Sequence, residues 1–179
     1  MLTKEPSVEI LESLFNELFS ESEKTILVSG ADEPIYLPIS EKHKINKIFS
    51  TKDYFSSALH EVSHWCVAGA RRRGLVDYGY WYEPDGRSEA QQLLFEQVEI
   101  KPQALEWIFT KATKQKFRLS VDNINQPEIK PSETFKVNVA RQAQKYLLKG
   151  LPSRAQLFLT ELLAYFQSRD ARLNINDFN

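Results

Sequence analysis

A chain of 179 residues with 42% hydrophobic and 26% charged residues has the composition of a soluble globular protein, long enough for one domain and too short for two. Its formal net charge of −1 supplies no basic field, which argues against direct nucleic-acid binding. A single cysteine, Cys66, excludes an internal disulfide framework; with no apolar signal-peptide core in MLTKEPSVEILES and no run of membrane-spanning length, a cytoplasmic protein without a membrane partner is expected.

From Ser7, an N-cap candidate, the apolar positions Val8, Leu11, Leu14, Phe15, Leu18 and Phe19 keep helical spacing. Two short β-like runs follow, Thr25 to Ser29 and Ile35 to Ile39, around the turn-like GADEP, and Ile45 to Phe49 reads as a third. Ser50 to Asp53 offers a capping-box pattern for a helix running to about Arg73, where Arg71, Arg72 and Arg73 favour the negative pole and Gly74 supplies a stop. The next run, LVDYGYWYEPDG, reads as a strand closed by a Pro-Asp-Gly turn. Ser88 with Gln91 opens a helix through about Phe109, which Pro102 should kink or split. After SVDNINQPEIKPSE, a helix is expected from Thr134 to Lys149, ending at Gly150, and Ser153 with Gln156 opens the last one. The sum is an α+β (mixed α/β), helix-rich single domain over 1–179 with a small sheet.

The chemistry-bearing stretch is LHEVSHWCVAG. The chain has three histidines, and two of them, His60 and His64, stand one helical turn apart with Glu61 between. An i, i+4 pair leaves one helical face, so both imidazoles reach one ion without bending the backbone. On a helical wheel Phe55, Leu59, Val62, Cys66 and Gly69 form the buried side, with His60 and His64 opposite it, roughly 40° apart. Cys66 then reads as a small buried hydrophobe. The bland alternative is a pair of exposed polar residues on an amphipathic helix. His43, in EKHKINK, reads as a solvated surface residue.

A metal would need a third ligand, and the continuation H-E-x-x-H-x-x-G-x-x-H fails, because position 67 is Val and position 70 is Ala. A carboxylate from FEQVEIKPQALEW is the remaining source. With Val98 as the buried centre, Glu99 lies roughly 100° around and Glu96 roughly 160°, so Glu99 is preferred, with Glu96 as second choice or outer-shell partner. Against this stands a plain solvated stripe of Glu89, Gln92, Glu96, Gln103 and Glu106. Two histidines and a carboxylate suit Zn²⁺ hydrolysis with Glu61 as general base, in a peptidase or nuclease, and equally an Fe²⁺ facial triad open to dioxygen and substrate. A non-catalytic module with a structural metal would usually bring four closed ligands.

The run from Leu59 to Phe109, with HE-x-x-HWC-x-AG, LVDYGYWY, PDGR and FE-x-VE-x-KPQALEW, followed by SVDN, resembles the bacterial elongation factor P hydroxylase family. The likeness is close over about the middle third of the chain. It implies hydroxylation of the elongation factor P lysine already extended by a β-lysyl group. It also implies a non-haem iron site of 2-His-1-carboxylate type on His60, His64 and Glu99 or Glu96. The implied fold is not the jelly roll of the usual oxygenases, and the chain has no H-x-D pair of the 2-oxoglutarate enzymes. The cofactors implied are Fe²⁺ and dioxygen, with the reductant unknown. An amine-bearing substrate calls for carboxylates, and Asp77, Glu83 and Asp85 are the candidates, Asp77 and Glu83 on the strand face that also carries Gly79 and Trp81. Arg71, Arg72, Arg73 and Arg87 are candidates for contact with an acidic surface of the partner protein, or else serve as helix-end charge.

Overall fold

The computed structural model describes residues 5–79, 87–121 and 130–179. Five helices and a three-stranded sheet form an α+β structure: α1 (Val8–Phe19), β1 (Thr25–Ala31), β2 (Ile35–Leu37), β3 (Asn46–Thr51), α2 (Phe55–Val67), α3 (Glu89–Ala112), α4 (Glu133–Lys149) and α5 (Ser153–Phe166). None of the described helices is long and apolar enough to cross a membrane.

The sheet order is β1-β3-β2, with β1 parallel and β2 antiparallel to β3. Central β3 buries Ile48 completely, as alternation on a half-covered sheet requires. The edge strand β1 is blunted from α1: the Asn16 amide accepts from the Leu27 N–H at 2.8 Å and donates to the Leu27 carbonyl at 3.2 Å, and Glu12 accepts from the Ser29 N–H. The apolar stripe of α1, Val8, Leu11, Phe15 and Phe19, faces an aromatic core in which Phe15 and Phe19 meet Trp65 edge-on at 5.0 and 4.9 Å.

Helix α2 departs from expectation at both ends. Its N-cap is Tyr54 rather than a residue of the Ser50–Asp53 box, and it stops at Val67 instead of about Arg73, so Gly69 and Arg71 to Gly74 lie beyond it. Arginines satisfy the carbonyls it leaves open. Arg154 Nη2 on α5 donates to the carbonyls of Trp65, Cys66 and Ala68, and Arg73 Nη1 donates to Ala68. The expected strand from Leu75 is a tight turn over Val76–Gly79, with Asp77 and Tyr78 both left-handed at φ 46° and 58°. Such a conformation is rare for residues bearing a Cβ and breaks any strand register. The rest of that expected strand, from Tyr80, lies outside the described residues.

Helix α3 keeps its capping box, Ser88 and Gln91 satisfying each other's backbone N–H, and runs unsplit through the buried Pro102 to Ala112. Ser132 caps α4, and Gly150, at φ 99°, ends it. Helices α2 and α3 pack against each other, and that contact builds the site.

Candidate metal centre

The helical turn between His60 and His64 brings their rings to 4.7 Å between centroids and their Nε2 atoms to 3.1 Å. Across the α2–α3 contact, Glu99 Oε1 lies 3.2 Å from His64 Nε2 and Glu99 Oε2 lies 3.7 Å from His60 Nε2. Among the described residues these three side chains form the cluster in which one ligand atom from each lies within 4.8 Å of the others. The histidine face is not the free face that the wheel suggested. Helix α2 is buried on nearly every side; His64 is 7% exposed and Glu99 1%.

The donor set fits a divalent cation. Glu99 Oε1 is buried and makes no hydrogen bond, although an imidazole stands beside it. A buried carboxylate oxygen without a donor is costly unless a cation meets it. The two Nε2 atoms face each other, and neutral imidazoles so placed offer lone pairs to a common point. Ligands about 2.1 Å from one ion stand about 3.0 Å apart at right angles and about 3.4 Å apart at tetrahedral angles. The spacings of 3.1 and 3.2 Å fall in that range, so they suit an ion without choosing between iron and zinc.

The electrostatics are those of opposite charges held out of water. Burial alone would raise the Glu99 carboxyl, but the close charge of His64, the charge of His60 and the hydrogen bond from the Gln103 amide bring it down to about 2. Burial alone would depress His60, yet the hydrogen bond and charge of Glu106, with the charges of Glu99 and Glu61, raise it to about 10. Burial raises the carboxyl of half-buried Glu61, opposed by His60 and His64 and reinforced by Glu99 and Asp77.

Most of the stripe read as the plain alternative is withdrawn from solvent: Glu96 is 6%, Gln103 1% and Glu106 7% exposed, and Gln92 is half-buried. Glu96 turns to α4, where it accepts from the Ser132 N–H at 3.1 Å and the Ser132 hydroxyl at 2.6 Å, so it stands outside the cluster. Gln103 donates to Glu99 Oε2 at 3.2 Å and is itself fixed by Ser120, accepting its N–H and donating to its carbonyl. Glu106 Oε2 lies 2.8 Å from His60 Nδ1. In the sequence Gln103 and Glu106 figure only in the alternative of a solvated stripe. The available signal was their spacing from Glu99, four and seven residues on, which places all three on one side of a helix.

Around this centre, the Tyr78 ring lies parallel to His64 at 6.5 Å and stacks on Tyr36 at 4.4 Å. Asp77 is half-buried, and its Oδ1 accepts from the Tyr36 N–H at 2.7 Å, tying the turn to β2. Glu83 and Asp85 lie outside the described residues. Arg87 is not a surface charge: it is 5% exposed, stacks over Phe95 at 4.1 Å and donates to Gln92 and to the Val121 carbonyl. Arg72 and Arg73 donate to the backbone of Tyr78 and Ala68, and Arg71 is exposed. Cys66 is buried, which pushes its thiol up to about 12 and leaves it unreactive. His43 is half-buried in the turn that joins it to Ser40 by backbone hydrogen bonds.

A family model described as elongation factor P hydroxylase matches residues 14–178. A protein of Haemophilus influenzae named elongation factor P lysine hydroxylase is 47% identical over 168 residues, covering 93% of each chain. The similarity thus reaches well beyond the middle third in which the quoted motifs lie, into α1, α4 and α5.

Proposed function

Because the chain belongs to the elongation factor P hydroxylase family, we propose that it hydroxylates the modified, β-lysylated lysine of elongation factor P at a ferrous site held by His60, His64 and Glu99. The observation that carries this reading is the approach of two imidazole Nε2 atoms and a buried, unpartnered carboxylate oxygen from the next helix. Bound there, ferrous iron would use dioxygen to place one oxygen atom on a substrate carbon, with electrons from a reductant outside this chain. The protein's share is arrangement. His60 and His64 present lone pairs from one rigid turn, and Glu99 offers Oε1 while Gln103 restrains Oε2. Glu61, half-buried beside both histidines, can hold a proton or accept a hydrogen bond from a substrate ammonium. Asp77 adds a second negative charge near Glu61. Modification of a translation factor places the reaction in the cytoplasm.

The zinc-hydrolase alternative requires Glu61 as general base and draws no support from the family match. One experiment separates the two. Protein loaded anaerobically with Fe²⁺ is mixed with β-lysylated elongation factor P and an excess of a chemical reductant such as ascorbate, oxygen is admitted, and the factor is weighed by mass spectrometry. Addition of one oxygen atom is expected from the native chain, and from Glu61→Gln at reduced yield. A factor of unchanged mass, or cleavage that Glu61→Gln abolishes, overturns the hydroxylase reading.

A further inference from the structure

The two ring nitrogens of His60 have different surroundings. Its Nε2 faces His64 and Glu99, whereas its Nδ1 lies 2.8 Å from Glu106 Oε2. Glu106 stands two turns after Glu99 on the same side of α3, and at 7% exposure its carboxylate is withdrawn from water. An ionised carboxylate only accepts hydrogen bonds, so the proton of this contact sits on Nδ1, and Nε2 is the nitrogen left to give its lone pair to an ion. Free imidazole exchanges its two tautomers and rotates about its side-chain bonds. A histidine gripped at Nδ1 does neither.

We propose that Glu106 is a positioning residue of the metal centre: without being a ligand, it fixes His60 as the Nδ1–H tautomer with Nε2 aimed at the ion. The inference rests on the metal-site reading above and adds a role for a side chain outside the ligand set. Two features separate it from an ordinary buried pair. The Glu106 oxygen lies on the Nδ1 side of the ring, away from the point where the Nε2 atoms meet, so it shapes the site without entering it. Gln103 does the same for Glu99 from the intervening turn, so α3 carries one donor and the restraints on two.

Co²⁺ serves as a probe that needs no turnover, its affinity read by chelator competition and its coordination number by its visible absorption. With proton competition at His60 factored out by repeating the chelator competition across a pH series, Glu106→Ala should weaken Co²⁺ binding by about 10- to 100-fold with the absorption spectrum of the saturated site unchanged. Glu106→Gln retains an acceptor for Nδ1–H and should lose less, about three- to tenfold. Nitrogen NMR of the Zn²⁺-loaded protein should find the His60 proton on Nδ1 in the native chain and in Glu106→Gln. Affinities within twofold of native in both variants overturn the inference, as does a spectrum showing that both have lost a ligand. Should Glu106→Ala not fold, Glu106→Gln decides alone: unchanged affinity sinks the proposal. A native chain that binds no Co²⁺ would overturn the metal site as well, an outcome distinct from variants that bind like the native chain.

Discussion

Helix α2 supplies two donors from a single turn, and helix α3 supplies one donor flanked by side chains that restrain the others. In α2 the backbone does the positioning, since residues four apart on a helix cannot avoid each other. In α3 the backbone only brings Glu99 to the contact, and Gln103 settles which oxygen is left free. A donor pair on one helix is therefore a property of spacing, whereas a lone donor is a property of packing. The two helices should respond differently to substitution.

The sharpest break comes from removing donors. His60→Ala, His64→Ala and Glu99→Ala should each lose metal by more than the about 10- to 100-fold expected for an outer-shell partner. Hydroxylation should fall with it. Metal content after gel filtration measures the first effect and oxygen incorporation the second. A variant that keeps a full equivalent of ion removes its residue from the ligand set.

Within α3 the comparison narrows to two glutamates three residues apart. Glu96 holds Ser132, whose hydroxyl accepts the Phe135 N–H and so caps α4. Glu96→Ala strips a charged acceptor from that cap and should cost about 1.5–3 kcal/mol of stability while leaving metal affinity near native. Urea unfolding with and without Co²⁺ checks both halves. A Glu96→Ala protein of native stability but without metal would exchange the roles of the two carboxylates.

That contrast also marks what could be read from the chain. The Ser88–Gln91 box, the α1 stripe and the His60–His64 spacing are local patterns, and each recurs in the fold. The preference for Glu99 over Glu96 came from a helical wheel centred on Val98, and the folded chain puts Glu99 beside the histidines even though Val98 is only half-buried. The polar stripe on α3 was illegible because Gln and Glu signal solvent unless their partners are known, and those partners are 46 residues away for Glu106 and 36 for Glu96. The end of α2 was missed for the same reason. Arg154, 86 residues from Ala68, satisfies its last carbonyls, and of the Arg71–Gly74 run Arg73 shares that task at Ala68. The strand expected from Leu75 failed because alternating aromatic residues say nothing about the left-handed turn at Asp77 and Tyr78.

The mildest effect is a pH dependence, and it tests the charge that α3 places around α2. In protein prepared without metal, His60 is raised from an ordinary 6.5 to about 10, so at neutral pH it carries a proton that an incoming cation must displace. Its contribution to stability is full below about 6.5 and is lost as pH rises through about 10. Glu99, lowered from 4.5 to about 2, contributes above about 4.5 and loses that as pH falls toward 2. The stripped protein should therefore be most stable between those limits, while Zn²⁺ affinity should climb with pH by up to about tenfold per unit until His60 has lost its proton. Calorimetry of Zn²⁺ binding at neutral pH, in buffers of different ionisation enthalpy, should register release of about one proton. Glu106→Gln removes the charge that opposes His60 deprotonation, and fewer protons should then be released. Native protein that binds Zn²⁺ without releasing protons would show that the carboxylates of α3 do not hold His60 in its charged form.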